Sequence, residues 1–363
     1  ELLSATGGTM ILGTLKDRET GLSIDQVLLG VFRAPASYTG EDSVELYCHG
    51  NPHGIERILK TLGKEGFRNA GPGEFTLRAF INGKLDLTRA EAVHEVVTAH
   101  TETAHSLALN RLAGAVERLI GGVREELLAL ASSVELELDY PEEELPADRG
   151  RLLETVTRSR EALSGLADTY RVGKIYREGI RVAIAGRTNA GKSSLFNLLL
   201  REERSIVSEL HGTTRDYIES WVSLQGIPFL FYDTAGLRDS VDFLESEGIR
   251  RSERVIAGAD IVLYVVDSLA GISVEDERRI SSCAVSRPCI VVMNKSDLLP
   301  PDSDSRKNAA GQSAGSAPNS PAPDPDQAPI PFSAMTGQGL GELQRRLVLA
   351  AAGGEPQRGT EIV

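Results

Sequence analysis

The sequence predicts a multidomain chain of mixed α/β and α+β class, with an α/β domain set into a helical region and a small α+β domain ahead of both. Three observations predict it. From Gly179 onward, strand-sized apolar runs alternate with helical segments, as in a sheet of parallel strands. The stretch G-R-T-N-A-G-K-S at Gly186 to Ser193 joins one such strand to one such helix. Before Gly179, a long Ala-, Leu-, Glu- and Arg-rich region with apolar residues at threes and fours follows a β-rich beginning.

The elements follow in order. Residues 1–95 mix β-rich runs (Val27 to Phe32, Ser43 to His49) with Gly and Pro punctuation and a helical stretch from Gly54 to Glu65, which reads as the α+β domain. Residues 96–177 read as antiparallel helices, broken near Pro141 where a proline ends one helix and Glu142 to Glu144 open the next. Leu107, Leu112, Val116, Leu119, Val123, Leu127, Leu130 and Val134 are expected to form its buried stripe. Residues 178–350 form the α/β domain: R-V-A-I-A-G, a helix from Lys192, a hairpin of Glu219 to Leu224 with Ile227 to Asp233 around Gln225-Gly226, then I-V-L-Y-V-V-D and C-I-V-V-M-N. Within it, residues 300–329 are Pro-, Ser-, Ala- and Asp-rich with almost no large apolar residue, and are expected to be disordered. Residues 351–363 begin a return to the helical region.

Composition narrows the function. With 39 Lys and Arg against 52 Asp and Glu, the net charge is −13, so nucleic acid would have to be met through a local basic patch or a partner. Cys48, Cys283 and Cys289 form no C-x-x-C and no zinc-ligand spacing, as in a reducing cytosol. No apolar run approaches the roughly 20 residues of a membrane span, so no membrane role and a cytoplasmic location are expected. No signal peptide is visible, and without an initiator Met the chain reads as a fragment. Glu91-x-x-His94 and Glu102-x-x-His105 imitate a di-metal pattern, but if one helix carried both, eleven residues would separate them by about 16 Å; they could share a metal only if the chain folded back between them, and the other helices lack matching carboxylates, so no metal is expected there. Cys48, His49 and His53 read as turn or half-buried strand positions.

Gly186 to Ser193 fits G-x-x-x-x-G-K-[ST] in the strand-to-helix context a P-loop requires. Glycines let backbone N–H groups curl around phosphate oxygens, and the helix start adds unpaired donors and partial positive charge. The phosphate set is Asn189, Ala190, Gly191, Lys192, Ser193 and Ser194, with Lys192 reaching the β/γ-phosphates and Ser193 ligating Mg²⁺. Asp233-Thr234-Ala235-Gly236 ends the strand F-L-F-Y-D, placing a carboxylate near the metal and a glycine N–H where a γ-phosphate is sensed. Asn294-Lys295-Ser296-Asp297 ends another. Asp297 there can accept both N1–H and the exocyclic amine of guanine, whereas adenine offers neither, so the base is guanine. Ser333-Ala334 would meet the guanine carbonyl. Thr213 and Thr214, ahead of D-T-A-G, include a threonine that can close over Mg²⁺. The position that carries a water-orienting Gln in Ras-type GTPases is Leu237, so another group must act; Asp239, Asp242, Glu245 and Glu247 are nearby carboxylates, and Arg187, Arg238 or a cation could supply positive charge.

With these residues in view, the sequence resembles the MnmE (TrmE) family of tRNA modification GTPases. The resemblance rests on S-Y-T-G-E-D at Ser37 to Asp42, C-H-G-N at Cys48 to Asn51, P-G-E-F-T-L-R-A-F-I-N-G-K-L-D-L-T-R-A-E-A-V from Pro72 to Val93, G-R-T-N-A-G-K-S-S, G-T-T-R-D and D-T-A-G-L-R. It implies a P-loop GTPase domain inserted in a helical domain and a folate-binding-like N-terminal domain that makes a homodimer. It implies that Asn189 ligates a potassium ion acting like an arginine finger, with Ser208, Leu210 and Gly212 completing the site, and that Glu245 orients the water when two G domains pair. Arg215 and Asp216 match residues that couple hydrolysis to modification; Glu45 and Arg78 are the folate candidates. The implied activity is 5-carboxymethylaminomethyl-type modification of the tRNA wobble uridine, with a folate one-carbon unit and an FAD-containing partner of the MnmG/GidA type in a heterotetramer. The family's C-terminal C-x-G-K peptide and its first strand are expected to lie outside this sequence. The competing readings are a GTP-switched RNA-binding or ribosome-assembly factor, which would want an RNA-binding module in the first 95 residues, and a membrane-remodelling GTPase, which would want a basic amphipathic helix.

Overall fold

The computed structural model describes residues 5–139, 149–202, 218–233, 254–299 and 328–352. They divide into two compact units, one within Glu1–Val97 and Ala108–Arg124 and the other within Thr98–Leu107 and Glu125–Val363.

The first unit opens with an antiparallel meander of β1 (Thr9–Lys16), β2 (Ser23–Phe32) and β3 (Ser43–Tyr47). Leu12 lies opposite Leu28, and Leu28 opposite Tyr47. Val27 and Val31 of β2 are buried, as is Ile58 of α1 (Pro52–Lys64). Asn51 caps α1 by accepting a hydrogen bond from the His53 N–H (3.1 Å), with Pro52 in the first turn where its missing N–H costs nothing. Then follow α2 (Glu74–Ile81), α3 (Leu87–Thr98), α4 (Glu102–Leu112) and α5 (Ala115–Asp139). Asp86 caps α3 through the Arg89 N–H (2.9 Å), and Arg111 ties α4 to Glu95 of α3 at 2.6 Å.

The expected stripe from Leu107 to Val134 is divided between α4 and α5, and it is not a buried core. No described residue of α5 is buried, and Leu127 is 38% exposed. α5 is tied to α3 at its start through Arg89 and Glu117 (2.9 Å) and to α6 (Arg149–Glu178) through Glu126 and Arg158 (3.2 Å), and this partial cover leaves the stripe half-buried at every position but Leu127.

The α/β part holds a six-stranded sheet of order β5-β6-β4-β7-β8-β9. Its strands are β4 (Ile180–Gly186), β5 (Ile218–Leu224), β6 (Ile227–Asp233), β7 (Ile261–Asp267), β8 (Cys289–Asn294) and β9 (Ile330–Pro331), with helices α7 (Lys192–Glu202), α8 (Val274–Ala284) and α9 (Leu340–Ala352). Among the described strands of this sheet only β5 runs antiparallel, joined to β6 through the Gln225-Gly226 turn. β4 and β7 are almost continuously apolar, as strands covered on both faces must be. One core layer packs Ile184, Phe229, Phe231, Leu263, Leu195 and Leu199, each at most 1% exposed; every such side chain contributes roughly 1.5–3 kcal/mol of hydrophobic stabilisation. Because β4 lies between β6 and β7, chain order reverses at its carboxyl end, which is where α/β sheets open a ligand crevice. The Ala328 carbonyl, near the end of the Pro-rich insert, accepts a hydrogen bond from Arg346 of α9; residues 300–327, on which the expectation of disorder falls, lie outside the described residues.

The segment between α3 and α4 packs on the β5–β6 hairpin. His100 stacks on Trp221 with ring centroids 3.8 Å apart and planes 12° from parallel. Burial lowers the His100 pKa, so the folded state favours neutral imidazole. The unfolded chain therefore binds the extra proton first, and stability rises with pH across the interval between the folded value and the unfolded value near 6.5. Thermal melting should show Tm falling as pH drops below about 6.5, with His100→Phe flattening that part of the profile; an unchanged profile in the variant would assign the dependence to other groups.

Candidate functional site

The carboxyl ends of β4, β7 and β8 and the loop after β9 form one edge. The loop after β4 starts at Gly186, whose φ of 138° suits only glycine and where a Cβ would lie 2.2 Å from the Val265 carbonyl oxygen. Gly191 has φ 90°, and a Cβ there would lie 2.1 Å from the Asn294 amide nitrogen. Asn189 also adopts a left-handed backbone (φ 62°), which Asn tolerates better than most side chains, and is exposed. The Leu195 N–H closes onto the Gly191 carbonyl (3.0 Å) and starts α7, on whose first turn Ser193 and Ser194 stand exposed. Lys192 is only 8% exposed; its ammonium crosses the loop and donates to the Arg187 carbonyl at 2.7 Å.

Asn294, 2% exposed, joins two loops. Its amide N–H donates to the Ala190 carbonyl (2.9 Å), and its amide oxygen accepts the Ala334 N–H (3.0 Å). Lys295 has a left-handed backbone (φ 64°) and pairs with Asp267, at the end of β7, at 2.6 Å. That hydrogen bond from Lys295 holds the Asp267 carboxyl below its usual range. The Ser296 hydroxyl and N–H both donate to the Phe332 carbonyl (2.8 and 3.0 Å), while buried Ser333 is wrapped by the Gly337, Gln338 and Thr336 turn. Asp297, in the following 3-10 turn, is exposed. Asp233 ends β6 opposite Ile184 in register.

Thus Asn189, Ala190, Gly191, Lys192, Ser193, Asn294, Lys295, Asp297, Ser333 and Ala334 all belong to this edge, and Asn294 links the phosphate-type loop to the Ser333-Ala334 loop directly. Ser208, Leu210, Gly212, Thr213, Thr214, Arg215, Asp216, Thr234, Ala235, Gly236, Leu237, Arg238 and Glu245 lie outside the described residues. Asp267 was not legible as a site residue; its signal is a carboxylate at a strand end beside Asn294 in register. In the first unit, Arg78 pairs with Glu41 (2.9 Å) and Glu74 (2.8 Å), and Glu45 accepts the Tyr47 hydroxyl. Glu74 is held far below the usual carboxylate range by Arg68 first, then the Gly71 N–H and Arg78. His49 pairs with Asp25 at 2.7 Å, and Cys48 is half-buried. Among the described residues no group of three or more His, Cys, Asp or Glu is placed to hold a metal, and no helix is long and apolar enough to cross a membrane.

Comparison with known proteins decides the family. The family model described as "MnmE helical domain" matches residues 87–362, and "GTP-binding protein TrmE N-terminus" matches residues 3–84. The chain belongs to the MnmE family. It is 45% identical to the tRNA modification GTPase MnmE of Borrelia turicatae over 299 residues, 82% of this chain and 64% of that protein. It is 40% identical to that of Moorella thermoacetica over 361 residues, 99% of this chain and 76% of that protein. The chain therefore spans about two thirds to three quarters of these MnmE proteins' length. Among solved structures, an Era variant of Aquifex aeolicus bound to GDP and aluminium fluoride aligns at 26% identity over 50% of this chain and 60% of that one, with a TM-score of 0.34.

The buried Asn294 bridge yields a prediction for this MnmE-family site. Asn294→Ala leaves the Ala190 carbonyl and the Ala334 N–H without their partner, and urea unfolding should show a loss of about 1–3 kcal/mol. Titration with a fluorescent GDP analogue should show affinity reduced by at least about tenfold. Wild-type affinity in a destabilised variant would mean that the two loops hold their geometry without the bridge.

Proposed function

We propose that this chain binds and hydrolyses GTP and serves the modification of the tRNA wobble uridine at carbon 5. The observation that carries the reading is the Asn294 bridge, which puts a phosphate-type loop and an N-K-S-D loop at one sheet edge. Membership of a family whose curated members are named tRNA modification GTPases supports the tRNA step.

In this reading the loop N–H groups and Lys192 hold the phosphates, and the base lies between the Lys295 stem, steadied by Asp267, and the Ser333-Ala334 loop. Asp297 accepts from N1–H and the exocyclic amine, and the Ala334 region meets the carbonyl oxygen. Ser193, exposed on the first turn of α7 beside Lys192, offers the hard oxygen that Mg²⁺ prefers, with Thr214 as second ligand. Asn189, exposed and left-handed, presents an amide oxygen suited to K⁺; Ser208, Leu210 and Gly212 join it as ligands on family likeness alone. When bound, the two cations supply positive charge against the charge that develops on the phosphates. Glu245 orients the water in place of Leu237, with Arg238 nearby, once two copies pair. The remaining assignments rest on family likeness: homodimerisation and folate binding by residues 1–95, with Glu45 and Arg78; coupling through Arg215 and Asp216; a cytoplasmic setting; and work with tRNA and an FAD-containing partner of the MnmG type.

Turnover in potassium and in sodium at equal ionic strength tests the cation assignment. Potassium should accelerate GTP hydrolysis and Asn189→Ala should abolish the difference, whereas equal rates in both salts would remove K⁺ from the mechanism. Base choice is tested at Asp297. An Asn there donates where xanthine has a carbonyl, so Asp297→Asn should reverse preference from GTP to XTP by about 10³-fold or more; retained GTP preference would place the base elsewhere.

A further inference from the structure

Arg187, the second residue of the phosphate loop, does not point its side chain at a ligand position but at the start of α8. Its Nε lies 3.3 Å from Asp276 Oδ1 and its Nη2 3.3 Å from Glu275 Oε2. The Asp276 side chain is 3% exposed and fully engaged: Oδ1 also accepts the Tyr264 hydroxyl (2.9 Å), and Oδ2 accepts the Ser273 N–H (3.0 Å) and hydroxyl (2.5 Å) in a capping box. Tyr264 belongs to the central strand β7 and is 2% exposed; burial, then Asp276, push its phenol above the usual tyrosine range. Burial also pushes the Asp276 carboxyl up, but the hydrogen bonds from Ser273 and Tyr264 and the charge of Arg187 outweigh it, so the carboxylate keeps its charge.

We propose that Asp276 is a positioning residue for nucleotide binding: anchored by Tyr264, it holds the Arg187 side chain on α8 and so fixes the Arg187 carbonyl on which the Lys192 ammonium rests. The proposal rests on the GTP-binding reading above. A helix cap alone needs only Ser273 and the carboxylate; the Tyr264 hydroxyl from the sheet and the guanidinium from the loop are additional, and they make one polar chain from β7 through Asp276 and Arg187 to Lys192. Pinned at its side-chain end, the loop keeps its open cradle before phosphate arrives, so binding orders less of the chain. This also commits Arg187 to a structural partner on its own chain, away from a finger role. The effect should fall on affinity and KM more than on kcat at saturating GTP.

The test compares the full chain with Arg187→Ala, Arg187→Lys, Asp276→Asn, Tyr264→Phe and the Arg187→Ala/Asp276→Asn double variant. The readouts are dissociation of a fluorescent GDP analogue and steady-state GTP kinetics. Arg187→Ala and Asp276→Asn should each raise Kd and KM by about tenfold, with a much smaller change in kcat, and the double variant should be no worse than either single one. Arg187→Lys should recover part of the loss by restoring charge beside Asp276. Tyr264→Phe should give a smaller shift in the same direction, and it keeps the test open should Asp276→Asn fail to fold. Additive effects, unchanged Kd and KM, or a kcat loss at unchanged KM would overturn the proposal. A wild-type chain showing no preference for GDP over ADP would instead sink the GTP reading itself.

Discussion

The buried Asn294 amide is the constraint on which the site depends. Its two ends meet main-chain groups of loops that follow β4 and β9, separated in sequence by more than a hundred residues, and satisfy one acceptor and one donor that would otherwise be stranded. The close fit is visible at Gly191, where any side chain would collide with that amide. The parallel sheet makes the arrangement possible, since reversal of chain order beside β4 opens a crevice at the strand ends and delivers β8 and β9 to the same edge.

Around that bridge, three cationic side chains have local partners that set their places. Lys192 rests on a carbonyl within its own loop, Lys295 on Asp267, and Arg187 on the acidic first turn of α8. These contacts differ in weight. The Arg187 to Glu275 pair is largely exposed and worth little, whereas Asp276 is sealed and would be left as an unpaired buried charge if Arg187 were removed.

Much of this was legible in the sequence because the chemistry is written in contiguous residues. G-R-T-N-A-G-K-S and N-K-S-D each sit directly against an apolar strand, and Gln225-Gly226 marks the hairpin. What escaped depends on pairing at a distance. The Asp267 to Lys295 and Asp276 to Arg187 pairs leave no local signature, since an acid at a strand end or helix start has ordinary reasons to be there. β1 escaped because Gly13 interrupts T-M-I-L-G-T-L-K and because its outward positions include Met10 and Leu12, which blurs the polar alternation of a half-buried strand. The α4–α5 stripe was legible as the covered face but not in its depth: periodicity reports which face can be covered, whereas full burial depends on how much packs on it, and these positions are half-buried.

The proposed function requires one edge of one sheet to accept a guanine nucleotide. Calorimetric titration of the chain with GDP and with ADP, both with Mg²⁺, tests that claim most directly. GDP should bind at least about 10³-fold more tightly, because Asp297 loses both of its partners when guanine is replaced by adenine; equal affinities for the two nucleotides would contradict the account.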